Sequence, residues 1–270
     1  MALIKADFFS TALMRTVSIQ VILPVDKKGM AVRAEKPYKT LYLLHGIFGN
    51  DTDWISETCI TRLAMERNLA VVMPSGENKF YLDHPDTLEY FSRFIGEELI
   101  EITRDMFPLS NQREDTFIAG LSMGGYGALI NGLKYHETFS MIGAFSPALM
   151  LDTLETKAIR HGPYLINQEY LESIFGPLDQ VRGSDKDYMQ QAKDLKDNRP
   201  CIFLSCGLDD SLLNPVRQYC DFLLKEGYEV IYDERKGGHE WDVWDEEIRR
   251  FLKELPLDQA SRGLGSGHIQ

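Results

Sequence analysis

The chain has 270 residues, 44% of them hydrophobic and 11% aromatic, which is enough to bury a large core and too apolar for a disordered segment. Its formal charge of −12, from 41 acidic against 29 basic residues, repels polyanions and argues against nucleic acid or an anionic membrane surface as a partner. A neutral or weakly charged small molecule fits this balance better. Cys59, Cys201, Cys206 and Cys220 have neither metal-ligand spacing nor disulfide-framework density and are expected to be reduced. The start, MALIKADFFSTALMRTVSIQVIL, lacks a basic segment followed by a clean apolar run and a small-residue cleavage site. No stretch approaches eighteen apolar residues. A cytoplasmic protein without metal or cofactor is the expectation.

Taken in chain order, residues 14–23 (MRTVSIQVIL) alternate as an antiparallel strand at a sheet edge does. LYLLHG (41–46), LAVVMP (69–74), DTFIAG (115–120), MIGAFS (141–146), CIFLSCG (201–207) and EVIYDE (229–234) then read as short, nearly continuous apolar runs. Strands buried on both faces have this character. Segments of helical period lie between them, at 57–67, 87–106, 123–135, 215–226 and 241–253. The alternation predicts an α/β fold with a mostly parallel sheet, flanking helices and right-handed crossovers. Ligands bind such sheets at the carboxyl ends of the strands. Residues 148–198 are about twice as long as an ordinary crossover and are read as a helical cap inserted over that edge. Residues 1–256 are expected to form one domain, and 257–270 a flexible tail.

Gly120-Leu121-Ser122-Met123-Gly124 follows a strand and opens a helix. A Walker loop needs Lys and Ser or Thr after its second glycine, and a dinucleotide fingerprint needs G-x-G-x-x-G; neither is present. G-x-S-x-G is instead the spacing of a nucleophile elbow, where the serine's neighbours two residues either side leave no room for a Cβ. Ser122 also sits at a helix N-terminus, which favours negative charge.

A serine nucleophile needs a base and a group that orients the base, and on this architecture they follow in the order Ser, Asp or Glu, His. His136, His161, His239 and His268 lie after Ser122. His136 falls in a helix tail, His161 in the insertion and His268 in the tail. His239, in GGHEW between the last strand and the last helix, is the candidate base. The acid is expected after CIFLSCG, where Asp209 and Asp210 both stand; Asp210 is preferred because it leaves three residues for the turn that brings the carboxylate round. The backbone N–H of Met123 is one candidate oxyanion donor. The other is expected in His45-Gly46-Ile47-Phe48-Gly49, from Ile47 with Phe48 next. His45 precedes the serine and is assigned to shaping that turn. Trp54 and Phe48 are candidate substrate-binding residues, with a plain core position as the alternative for Trp54.

LYLLHGIFGN, VVMPSGENKFY, TFIAGLSMGGYGAL, GLDDSLL and GGHEWDVW together resemble the esterase D and S-formylglutathione hydrolase-like superfamily of α/β-hydrolases. Within it they are similar to bacterial tributyrin esterases and to feruloyl, cinnamoyl and acetyl esterases of carbohydrate esterase family one. The resemblance spans about residues 2–256. It implies a Ser122, Asp210, His239 triad, with the acid third after the glycine, and an oxyanion hole from the main chains of Ile47 and Met123. It also implies a cofactor-free carboxylesterase acting on short-chain acyl or aryl esters. S-formylglutathione hydrolases carry a Cys after the HG, where this chain has Phe48-Gly49-Asn50. That departure makes a glutathione thioester the second expectation, and a non-catalytic binding protein of the same fold the third. The expected partner is a small-molecule ester, and self-association as a homo-oligomer stays open.

Overall fold

A computed structural model of the chain describes residues 1–25, 36–156 and 167–257. Its centre is an eight-stranded sheet in the order β1-β2-β4-β3-β7-β8-β9-β10. β1 (Ala2–Ser10) and β2 (Arg15–Leu23) form a hairpin, and β2 runs antiparallel to β4 (Leu69–Pro74). From β4 onward the strands are parallel: β3 (Lys39–Leu44), β7 (Thr116–Leu121), β8 (Met141–Phe145), β9 (Cys201–Gly207) and β10 (Val230–Arg235). Two-residue strands β5 (Asp83–His84) and β6 (Glu89–Tyr90) pair separately.

Side chains alternate along each central strand between two buried layers, which is why the apolar runs are continuous. In β3, Tyr42 and Leu44 join one layer and Leu41 and Leu43 the other; in β7, Ile118 opposes Phe117 and Ala119. The first layer is closed by α3 (Phe91–Arg93), α4 (Leu99–Met106) and α5 (Met123–Lys134), then by α6 (Leu151–Glu155), α7 (Gln168–Phe175), α8 (Tyr188–Asp194) and α9 (Leu213–Lys225). The second is closed by α1 (Asp53–Glu57), α2 (Ile60–Glu66) and α10 (Trp241–Glu254).

Three differences from the sequence reading have physical causes. The strand read at 14–23 is not the edge, because β1 pairs outside it in a continuous nine-residue register. EVIYDE takes the opposite edge, and all six residues of β10 are only half-buried. The helical segment read from 87 starts at Phe91, after Leu88 turns the chain with φ +58°, and passes through a π-helical stretch at Phe94–Glu98 before α4.

The described part of the insertion carries three short helices, α6, α7 and α8, among turns and irregular segments. None of its described residues lines the cleft at the strand ends; it stands beside that cleft, where the Tyr170 hydroxyl donates to the Asn78 carbonyl at 2.6 Å. Residues 157–166, with His161 and Tyr164, and residues 258–270, with His268, lie outside the described residues.

Candidate active site

The loops after β3, β7 and β10 line a single cleft, and the loop after β9 joins them from behind through Asp210, which bonds His239. β7 delivers Ser122, whose backbone sits at φ +53°, ψ −116°, a conformation a side-chain-bearing residue rarely adopts. The space around the turn explains the glycine spacing. A Cβ on Gly120 would lie 2.4 Å from the Gly124 carbonyl oxygen, and one on Gly124 would lie 2.5 Å from that of His45. The strained turn is held by the Ser122 N–H donating to Phe145 O at 2.9 Å, while Ser122 O accepts from Tyr126 N and Ala148 N, each at 3.0 Å.

His239 reaches the serine from the loop after β10. Its Nε2 lies 2.9 Å from Ser122 Oγ and its Nδ1 lies 2.8 Å from Asp210 Oδ2. An ionised carboxylate only accepts, so Nδ1 carries the proton and Nε2 is left to accept the serine hydroxyl. Asp210 also accepts the Leu212 N–H on Oδ1 at 2.9 Å, and its side chain is fully buried. Burial pushes this carboxyl up, but the hydrogen bonds from His239 and the Leu212 N–H outweigh it and hold the group below its ordinary value. Asp209 is exposed, and its contribution is a main-chain one: its N–H donates to Gly237 O at 2.9 Å and ties the acid turn to the histidine loop.

The loop after β3 is organised by His45. Its Nδ1–H donates to Gly46 O at 2.7 Å and its Nε2 accepts the Gly76 N–H at 2.8 Å, so the ring is neutral with both nitrogens committed. Burial pushes its pKa below the ordinary imidazole value. Of the two candidate donors here, the Phe48 N–H is already engaged with Asn78 Oδ1 at 2.8 Å. The N–H groups of Ile47 and Met123 make no hydrogen bond among the described residues.

The cleft has a volume of about 610 Å³, and its apolar wall comes from Ile47, Phe48, Leu121, Trp241 and Trp244. Phe48 stands at the lip, 62% exposed and at φ +69°. Trp54 does not line the cleft. It is buried below it, donating Nε1–H to Leu44 O at 3.0 Å and meeting the Trp241 ring edge-on at 5.5 Å. Trp54, eight residues after Gly46 and in the first turn of α1, points its indole inward into the second apolar layer and so supports the wall that Trp241 forms. Trp244 packs edge-on to His239 at 4.9 Å. Sequence reasoning quoted GGHEWDVW but took only His239 from it; the i, i+3 spacing of Trp241 and Trp244 at the start of α10 was the available signal.

A strained serine at a helix start, an imidazole and a buried carboxylate across the ends of a mostly parallel sheet are the arrangement of a serine hydrolase of the α/β-hydrolase class. The family model described as "Putative esterase" matches residues 10–255. The chain belongs to this esterase family. It is similar to an acetyl esterase of Caldicellulosiruptor saccharolyticus, at 43% identity over 254 residues, covering 92% of this chain and 96% of the relative. Among solved structures it is similar to the substrate-bound fluorophosphonate-binding serine hydrolase F of Staphylococcus aureus, with a TM-score of 0.81 at 28% identity, covering 94% of this chain and 98% of that one. An S-formylglutathione hydrolase from Staphylococcus aureus matches with a TM-score of 0.80 at 29% identity and the same coverage.

Proposed function

We propose that the protein hydrolyses short-chain acyl and aryl esters, acetyl and butyryl first and feruloyl or cinnamoyl among the aryl class, through an acyl-enzyme on Ser122. The observation that carries this reading is the continuous relay of 2.9 Å and 2.8 Å from Ser122 through His239 to Asp210, beside two uncommitted backbone donors. In the first half-reaction Ser122 Oγ attacks the ester carbonyl carbon while His239 Nε2 takes its proton. The carbonyl oxygen becomes an oxyanion held by the N–H groups of Ile47 and Met123, where the start of α5 adds its positive dipole end. His239 then returns the proton to the departing alkoxide. In the second half a water molecule repeats the sequence and releases the acid.

Asp210 keeps the Nδ1–H tautomer and stabilises the imidazolium that forms at each step. The apolar wall of Ile47, Phe48, Trp241 and Trp244 favours an uncharged acyl or aryl group, and the acetyl esterase relative supports the short acyl end of the range. We read residues 1–256 as one domain and its compartment as the cytoplasm, with all four cysteines free. Among the described residues no helix is long and apolar enough to cross a membrane.

Replacing Ser122 with Ala tests the reading: kcat on p-nitrophenyl acetate falls by roughly 10⁶, while a variant that keeps half its activity overturns it. A second reading is thioester hydrolysis, favoured by the likeness to the S-formylglutathione hydrolase structure. Turnover of an acyl-glutathione against that of an aryl acetate separates the two.

A further inference from the structure

The most exposed strand of the sheet carries a pattern that the hydrolase chemistry does not use. β1 is the outer strand, nine residues long and in unbroken register with β2, without proline or bulge. Its outer edge pairs with no strand among the described residues. Such an edge is a template for a further strand, and proteins ordinarily blunt it with prolines, bulges, short length or clustered charged side chains. The opposite edge is treated that way: β10 is six residues long and ends in Asp233, Glu234 and Arg235, all three in ion pairs.

Along β1 the residues alternate between two faces. Ala2, Ile4, Ala6 and Phe8 are half-buried toward the first apolar layer, where Phe8 meets Phe94 at 6.3 Å. Leu3, Lys5, Asp7 and Phe9 are exposed, with Leu3 at 48% and Phe9 at 58%. Lys5 and Asp7 lie 3.8 Å apart and cancel each other's charge, so the face as a whole is neutral and apolar at both ends.

We propose that β1 is a self-association edge: two copies pair their β1 strands antiparallel about a two-fold axis through Ala6, joining the two sheets into one. A two-fold axis normal to a sheet keeps each face on its own side, so residues of like parity meet. With Ala6 on the axis, Leu3 lies opposite Phe9 of the second copy, and Lys5 opposite Asp7. Two apolar pairs then flank a cluster of two lysines and two aspartates, every charge facing its opposite. On the inner face Ile4 lies opposite Phe8, so the apolar layer continues across the junction.

The neighbouring registers fail. Sliding by two residues sets Lys5 against Lys5 or Asp7 against Asp7, and a parallel arrangement in register does both. Directly opposed like charges destabilise a strand pair and opposed unlike charges stabilise it, by roughly 0.2–1 kcal/mol each way. The sequence of this edge therefore selects a second copy of itself, in one register, over extended pairing into fibres.

Sedimentation velocity over about a hundredfold range of concentration tests this, with four proteins: the parent, Lys5→Asp, Asp7→Lys and the double exchange Lys5→Asp/Asp7→Lys. Circular dichroism and ester turnover verify that each is folded, since neither residue touches the cleft. The parent sediments as a dimer at the upper concentrations. Each single reversal opposes like charges twice and raises the dimer Kd roughly tenfold or more. The double exchange restores the dimer, and mixing the two single variants yields a heterodimer, because aspartate at 5 then faces lysine at 7. A parent that stays monomeric throughout overturns the proposal, and so does a dimer that neither reversal weakens.

Discussion

Replacing Asp210 with Asn isolates the step in which the acid orients the base. The carboxylate accepts two hydrogen bonds, from His239 Nδ1–H at 2.8 Å and from Leu212 N–H at 2.9 Å, and it does so without water contact. An asparagine side chain has one oxygen for these two donors. If its oxygen stays with Leu212 N–H, its NH₂ faces His239, which must present Nδ1 as an acceptor and carry its proton on Nε2. Ser122 then faces a donor and has no base. The charge-assisted bond itself is worth about 1.5–3 kcal/mol, and the wrong tautomer adds the cost of reversing it before each turnover. The sum expected is about 5.5 kcal/mol, a loss of ~10⁴ in kcat, with KM little changed because the acid does not touch the substrate. Steady-state hydrolysis of p-nitrophenyl acetate reads this directly, with Asp209→Asn as the matched control expected within about threefold of the parent. Asp210→Asn within tenfold of the parent, or Asp209→Asn showing the large loss, would refute the reasoning.

Three further outcomes follow from the cleft and its supports. Phe48→Ala removes the exposed lip without disturbing the backbone bond to Asn78, so KM for an aryl ester such as methyl ferulate rises roughly tenfold while hydrolysis of a small acetate changes little; equal effects on both substrates count against an aryl contact. Asn78→Ala frees the Phe48 N–H and leaves Tyr170 bonded to the main chain, so kcat/KM falls by about tenfold through loss of loop order, with the melting temperature lowered by a few degrees at most. His45, neutral and with its pKa pushed down by burial, contributes stability that is present above about pH 6.5 and is lost as pH falls toward its folded-state value. Urea midpoints therefore decline from about pH 6.5 to 5, and His45→Gln, less stable overall, shows a shallower decline over the same interval; an unchanged slope contradicts the assignment.

Much of this architecture could be read directly because the sheet is buried on both faces. Residues such as Tyr42 and Leu43 have to be apolar whichever layer they face, so the central strands stand out without any pairing information. The elbow was legible for a similar reason: backbone crowding at Gly120 and Gly124 admits one residue type, and the serine between them is marked by that constraint. Order along the chain was enough to nominate His239 and two adjacent aspartates. Choosing between the aspartates is a matter of one peptide's rotation, which the structure expresses as one buried and one exposed side chain.

What could not be read was set by packing between distant segments. β1 is absent from the strands read in the sequence because Leu3 and Phe9 are apolar on its open face, which blurs the alternation that would mark it. Trp54 and Trp241 are both tryptophans beside motif residues, and only their edge-on packing in the folded chain, with Trp54 buried under Trp241, decides which lines the cleft and which supports it. The Phe48 N–H is removed as an oxyanion donor by Asn78, thirty residues away, a partner no local pattern announces.

The central claim is that Ser122 is an activated nucleophile, and covalent labelling tests it without assuming a substrate. Incubating the purified protein with a fluorophosphonate and mapping the adduct by peptide mass spectrometry should give one label per chain, on Ser122, with labelling abolished in Ser122→Ala and slowed by orders of magnitude in His239→Ala. A label on another residue, or no label on the folded protein, would contradict the account.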